Sequence, residues 1–365
     1  MVLEDGTTLK GSGFGYPCEV TGEVVFNTGV VGYPEALTDP SYSGKILVQT
    51  YPLIGSYGVP SHDIIDNFGM PLHFESNKIH VKGFAVSELQ MKPSHWTNNK
   101  TLNDWLREQK IPCVDGLDTR ELAKKLRTKG TMIGILKVGK KIDVERLEEK
   151  LKTIENTDQK DLVKEVTIDK PIRYTSGNYL NVVIIDCGMK FGILRNLLAR
   201  NVNVVRVPHD YSAKRILELN PSGIVISNGP GNPKKYEKTI KTVEELMETD
   251  LPIMGICFGN LILALAAGAD TYKLKFGHHG QNYPSIDSET KRCYITGQNH
   301  EFVIESKSLE GTYFEVWFKN ANDKTIEGIK HKQKSLFGIQ FRPEDSLECG
   351  FIYDNFVEEV RNAKI

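Results

Sequence analysis

The 365-residue chain carries a net charge of -1, with 39% hydrophobic and 25% charged residues, the profile of a globular protein with room for two cores. That balance argues against nucleic acid or an anionic membrane surface as a partner, and no apolar run is long enough to span a bilayer. Cysteines 18, 113, 187, 257, 293 and 349 are scattered without a CxxC pair, so neither a zinc site nor a disulfide framework is expected and a reducing compartment fits. Glu4 and Asp5 stand where a secretory or transit peptide needs apolar or basic residues, which leads us to expect a cytoplasmic protein.

Residues 1 to about 135 read as short strands between glycine and proline punctuation. Gly22 to Thr28 and Ile46 to Tyr51 are rich in β-branched and aromatic residues, bounded by turn signals such as Tyr33-Pro34 and Asp39-Pro40-Ser41. Asp118-Thr119-Arg120-Glu121 is a capping-box pattern, with Leu122 and Leu126 one turn apart behind it, and predicts a helix. From about Lys137 to Lys164 charges dominate over a thin stripe of Leu147, Leu151 and Ile154, read as a solvated helix followed by a linker ending near Asn178. We therefore expect domains over 1–150 and 180–365, joined by a linker over 151–179.

The second half alternates buried strands with helices. The predicted strands are Asn181 to Ile185, Val202 to Val207, Gly223 to Ser227 and the run ending at Cys257, with helices over Phe191 to Arg200, Ala213 to Leu219 and Tyr236 to Glu248 between them. Such repetition implies an α/β domain with a mainly parallel sheet flanked by helices, and sites at the carboxyl ends of its strands. After Lys273 the chain becomes strand-rich, through 293–296, 313–318 and 336–341, and a helix from about Ile352 to Val360 closes it.

Gly255-Ile256-Cys257-Phe258-Gly259 sits where a strand gives way to a helix. This is the GxCxG form of a nucleophile elbow, whose glycines let strand and helix approach. A thiol at such a tip feels the helix dipole and the free N–H groups of the first turn, which favours the thiolate; a buried core cysteine is the alternative. A thiolate there points to acyl transfer through a tetrahedral oxyanion. The Gly229-Pro230-Gly231 loop at a neighbouring strand end can supply one donor, or be an ordinary turn.

Gly255 to Gly259, Ser227 to Pro233, Gln298 to Phe302 and Gln340 to Glu344 together resemble a class I glutamine amidotransferase domain. Leu3 to Thr7, Gly22 to Ile46 and Val114 to Met132 resemble the amino-terminal, β-rich mixed domain specific to the small subunit of carbamoyl phosphate synthetase. In that family the small subunit hydrolyses glutamine with a Cys, His, Glu triad and sends ammonia through a tunnel to a large subunit. The large subunit condenses it with bicarbonate and ATP into carbamoyl phosphate for arginine and pyrimidine synthesis. The resemblance implies Cys257 as nucleophile, Glu344 as orienting carboxylate, and the N–H groups of Gly231 and Phe258 as oxyanion donors. It implies glutamine contacts from Ser41, Gly229, Gly231, Phe258, Asn299 and Phe302. It also implies the large subunit as partner, with ATP and metal held there and no cofactor in this chain.

Departures from the family pattern cluster around this pocket. QFHPE is here Gln340-Phe341-Arg342-Pro343-Glu344, so Arg342 occupies the place of the catalytic histidine. A guanidinium stays protonated and cannot take the thiol proton. Family GHQ is Gly259-Asn260-Leu261, which replaces a substrate-holding glutamine by an apolar side chain, and Glu301 stands where family QNHGF has glycine. An extra carboxylate beside the substrate carboxylate repels it. Glutaminase is therefore expected to be impaired; the alternative is a non-catalytic structural or regulatory subunit. For His278, His279 and His300 a structural role is the expectation, and His331 has no motif to recommend it.

Overall fold

Adjacent residues of a strand face opposite ways, so unbroken apolar runs such as Val24-Val25-Phe26 and Ile46-Leu47-Val48 need cover on both sides. The computed structural model, which describes residues 1–154, 160–177 and 179–363, supplies it. Val25, Leu47 and Phe84 enter one apolar cluster, while Val24, Ile46 and Ala85 enter another.

These residues belong to the first of two units, Met1–Lys160 with Lys275–His279. Its strands are β1 (Val2–Leu3), β2 (Ser12–Gly15), β3 (Glu19–Asn27), β4 (Lys45–Gln49), β5 (Gly83–Val86), β6 (Pro112–Asp115) and β7 (Met132–Lys137). They lie in the order β1-β7-β3-β4-β5-β6-β2, parallel from β3 to β6 and antiparallel at the flanks. Helices α1 (Tyr33–Thr38), α2 (Leu102–Glu108), α3 (Thr119–Lys129) and α4 (Val144–Leu151) accompany them. The capping signal places α3 correctly: the Asp118 carboxylate accepts the Glu121 N–H at 2.8 Å, and Leu122 and Leu126 are buried. α2 leaves little trace in the apolar periodicity because it is two turns long.

The second unit comprises Asp161–Leu274 and Gly280–Ile365. Its strands are β8 (Ile172–Tyr174), β9 (Asn181–Asp186), β10 (Asn203–Pro208), β11 (Gly223–Ile226), β12 (Ile253–Ile256), β13 (Thr271–Asp287, of which Lys275–His279 counts with the first unit), β14 (Cys293–Ile304), β15 (Phe314–Asn320), β16 (Ile326–His331) and β17 (Leu336–Ile339). Their order is β14-β13-β15-β16-β17-β12-β11-β9-β10-β8. The stretch β10-β9-β11-β12-β17 is parallel, and β8, β15 and β16 pair antiparallel beside it. The helices are α5 (Leu162–Val166), α6 (Phe191–Leu198), α7 (Ala213–Leu217), α8 (Glu237–Met247), α9 (Phe258–Ala266) and α10 (Phe351–Asn362). The chain is thus mixed α/β, with the alternating half arranged around a mainly parallel centre.

The stretch read as linker differs from expectation. α5 buries Leu162 and Val163, and β8 pairs with β10 through Tyr174 and Val204, so residues from Asp161 onward are part of the second unit. Leu162 and Val163 are an apolar doublet among charges, too short a signal to outweigh them. Residues 155–159 and Asn178 of that stretch lie outside the described residues.

Candidate active site

The strand β12 is buried along its whole length and delivers Cys257 to the start of α9. The backbone there adopts φ 54° and ψ -104°, a strained conformation for a residue with a Cβ. It is held on both sides: the Cys257 N–H donates to the Ile339 carbonyl at 2.7 Å, and the Cys257 carbonyl accepts the Asn260 N–H at 3.1 Å. A methyl on Gly255 would lie 2.5 Å from the Gly259 carbonyl oxygen, and one on Gly259 would overlap the Ile226 carbonyl. The glycines are therefore required by contact between strand and helix.

The Cys257 side chain is buried, 1% exposed. Its thiol faces the Asn299 carbonyl oxygen at 3.6 Å, and the Gln340 amide nitrogen lies 3.9 Å from Sγ. Asn260 sets that amide's direction, because its Nδ2 donates to Gln340 Oε1 at 2.9 Å and leaves Nε2 turned to the sulfur. Arg342, 1% exposed, donates from Nη2 to the same Asn299 oxygen at 3.5 Å. The guanidinium and the thiol thus meet one carbonyl.

The Glu344 side chain, 1% exposed, sits among Lys190, Asp345 and Tyr353. Tyr353 donates its hydroxyl to Oε2 at 3.2 Å, and Lys190 Nζ stands 3.5 Å from Oε1 but 2.5 Å from Asp345 Oδ1. One ammonium shared by two carboxylates, and nearer the other, does not compensate full burial. Burial pushes the Glu344 carboxyl up to about 7, with Lys190 and Arg342 opposing and Asp345 adding to the rise. Burial, then the neighbouring Glu344, also raises the Tyr353 phenol well above its ordinary value.

The remaining implied residues are placed as follows. Gly229 has no room for a side chain against the Cys187 carbonyl, and Gly231 adopts φ +87°. Phe258 and Leu261 at the start of α9 and Phe302 on β14 share one apolar cluster, consistent with Leu261 offering no polar group. Asn299 and Glu301 are buried on β14. The His300 ring nitrogens face the Phe302 carbonyl at 3.1 Å and Gln298 Oε1 at 3.2 Å, commitments along its own strand. Ser41 belongs to the first unit, in a 3-10 turn where its N–H donates to Asp39 Oδ1 at 2.9 Å. Sequence reasoning missed Lys190, Tyr353 and the role of Gln340; only Gln340 lay in a motif that drew attention.

Residues 1–136 match the family model described as "Carbamoyl-phosphate synthase small chain, CPSase domain", and residues 183–359 match "Glutamine amidotransferase class-I". The carbamoyl phosphate synthase small chain of Pyrococcus furiosus is 43% identical over 369 residues, covering 100% of this chain and 98% of that one. That of Archaeoglobus fulgidus is 43% identical over 367 residues, covering 100% and 99%. The multifunctional protein CAD of Squalus acanthias is 43% identical over 371 residues, 100% of this chain and 16% of that protein. With both halves matched in order and the likeness running end to end, the chain belongs to the carbamoyl phosphate synthase small chain family.

Proposed function

We propose that the chain works as the amidotransferase subunit of a carbamoyl phosphate synthase, bound to a large ATP-using subunit, with its own glutamine hydrolysis impaired. The observation that carries the impairment is the position of Arg342, buried and sharing the Asn299 carbonyl with the Cys257 thiol. In glutamine hydrolysis the sulfur bonds to the carboxamide carbon and the carbonyl electrons move to oxygen, where the N–H groups of Gly231 and Phe258 receive the charge. The C–N bond then breaks, the nitrogen takes a proton and leaves as ammonia, and water cleaves the thioester to glutamate. Both proton transfers need a group that can gain and lose a proton, and a guanidinium does neither at neutral pH. Loss of such a base lowers rate about 10²- to 10⁴-fold.

The test is carbamoyl phosphate synthesis by the assembled complex. Ammonium salts are expected to support the full rate and glutamine a rate lower by about 10²-fold or more; equal rates from both would overturn the impairment. Arg342→His combined with Leu261→Gln and Glu301→Gly is expected to gain glutaminase activity, and no gain would mean that the lesions lie elsewhere. A second reading, a non-catalytic subunit, is favoured by the burial of Cys257 and its thiol contact to Asn299. Rapid alkylation of Cys257 near neutral pH argues for a poised nucleophile, and labelling no faster than that of buried Cys113 argues for the structural subunit.

A further inference from the structure

Two peptide N–H groups far apart in sequence have to hold a fixed spacing if they are to receive one oxyanion. One belongs to Gly231, in the loop after β11, and the other to Phe258, the first residue of α9. The Tyr236 side chain packs on the second of these and neighbours the first. The Tyr236 ring meets the Phe258 ring edge-on, with centroids 5.5 Å apart and planes at 74°. Its hydroxyl lies 3.9 Å from where a Gly231 Cβ would project, beside Leu162 Cδ1 at 3.6 Å.

Tyr236 is itself fixed from the far side. Its hydroxyl accepts the Val163 N–H at 3.0 Å and hydrogen-bonds Asp161, the N-cap of α5. The His209 ring packs against it edge-on at 5.7 Å, and Tyr236 is 5% exposed. The short helix α5 therefore lies beside the Gly231 loop through Leu162 and holds the tyrosine hydroxyl next to it through the Val163 N–H.

We propose that Tyr236 is a positioning residue that sets the distance between the Gly231 and Phe258 N–H groups, with α5 as its anchor. It touches neither substrate nor sulfur; it holds the frame in which the oxyanion is received. The proposal rests on the acyl-transfer reading of Cys257. A misplacement of about 1 Å in such a frame costs about 10²-fold in the reacting state, while ground-state binding of the carboxamide, which spreads over further contacts, falls less.

The experiment uses the full chain with its large subunit and the γ-aldehyde analogue of glutamine. The Cys257 sulfur bonds to the aldehyde carbon and the thiol proton passes to oxygen, giving a tetrahedral hemithioacetal whose oxygen sits where the oxyanion forms. Tyr236→Phe keeps the ring on Phe258 but loses the hydroxyl anchor, and Tyr236→Leu loses both. Adduct affinity is expected to fall about 10-fold in the first and about 100-fold in the second, with glutamine affinity falling several-fold less than adduct affinity in each. A parallel loss of adduct and glutamine affinity would reveal a merely structural role and overturn the proposal. An undiminished adduct would overturn it too. Should Tyr236→Leu fail to fold, Tyr236→Phe decides alone. A wild-type subunit that forms no adduct refutes the acyl-transfer reading and the positioning role with it, whereas a wild-type adduct that survives in the variants refutes positioning alone.

Discussion

Cys257 is approached by a carboxamide nitrogen whose direction is set one residue further back. Gln340 Nε2 faces the sulfur at 3.9 Å only because Asn260 holds the other end of the amide, and Gly338 leaves room for Asn260 where a methyl would overlap its Oδ1. An N–H aimed at sulfur stabilises the thiolate more than the thiol. Replacing Gln340 by Leu is expected to slow iodoacetamide labelling of Cys257 about 5- to 10-fold, and Asn260→Leu to slow it less, because the glutamine remains but turns. An unchanged labelling rate in Gln340→Leu would mean that the amide is a bystander. The elbow itself is legible in sequence, because glycines two residues either side of a cysteine have few other reasons to be there. The partners of Glu344 are not: Lys190 and Tyr353 reach it through strand order and helix packing, which local sequence does not encode.

At the scale of elements, backbone crowding decides which glycines are irreplaceable. Gly259→Ala sets a methyl against the Ile226 carbonyl of β11, whereas Gly268 has open space around it and only a φ of +86° to resist substitution. Urea unfolding is expected to show a loss of about 3 kcal/mol for Gly259→Ala and about 1 kcal/mol for Gly268→Ala. Equal losses would show that strand and helix can separate without cost. The buried parallel strands were readable as continuous β-branched runs, and α3 through its cap. α5 was hidden by the charges around it, since hydrophobic pattern outweighs polarity only over several turns.

For the whole molecule, acid acts with opposite sign on two buried groups, one in each unit. In the first, His80 is buried with Nε2 3.0 Å from Ser76 Oγ, and burial pushes its imidazole down to about 4 from 6.5. Its contribution is complete above about pH 6.5 and is lost as pH falls toward 4, because the unfolded chain then binds the extra proton. In the second, Glu344 is raised to about 7 from 4.5, so its contribution is complete below about 4.5 and is lost as pH rises through 7. Hydrogen exchange resolved by unit is expected to show His80 loosening the first unit and Glu344 tightening the second as pH falls from 6.5 to 4.5, the second against the depressed His209 and His331 imidazoles, which loosen it. His80→Gln and Glu344→Gln should each flatten its own unit's response, and a slope unaltered by Glu344→Gln would assign the effect to other groups. The first unit is also discontinuous along the chain. Thr131 and Thr28 donate their N–H groups to the carbonyls of Lys275 and His279, and Phe276 packs on the cluster that holds Val24 and Ile46. Synthesis proceeds at about 5–20 residues per second, and leading domains ordinarily fold as they emerge. Here the leading unit stays unfinished on the ribosome until much of the trailing one has been translated, so a gene fragment ending at Lys160 encodes an incomplete object rather than a detachable module.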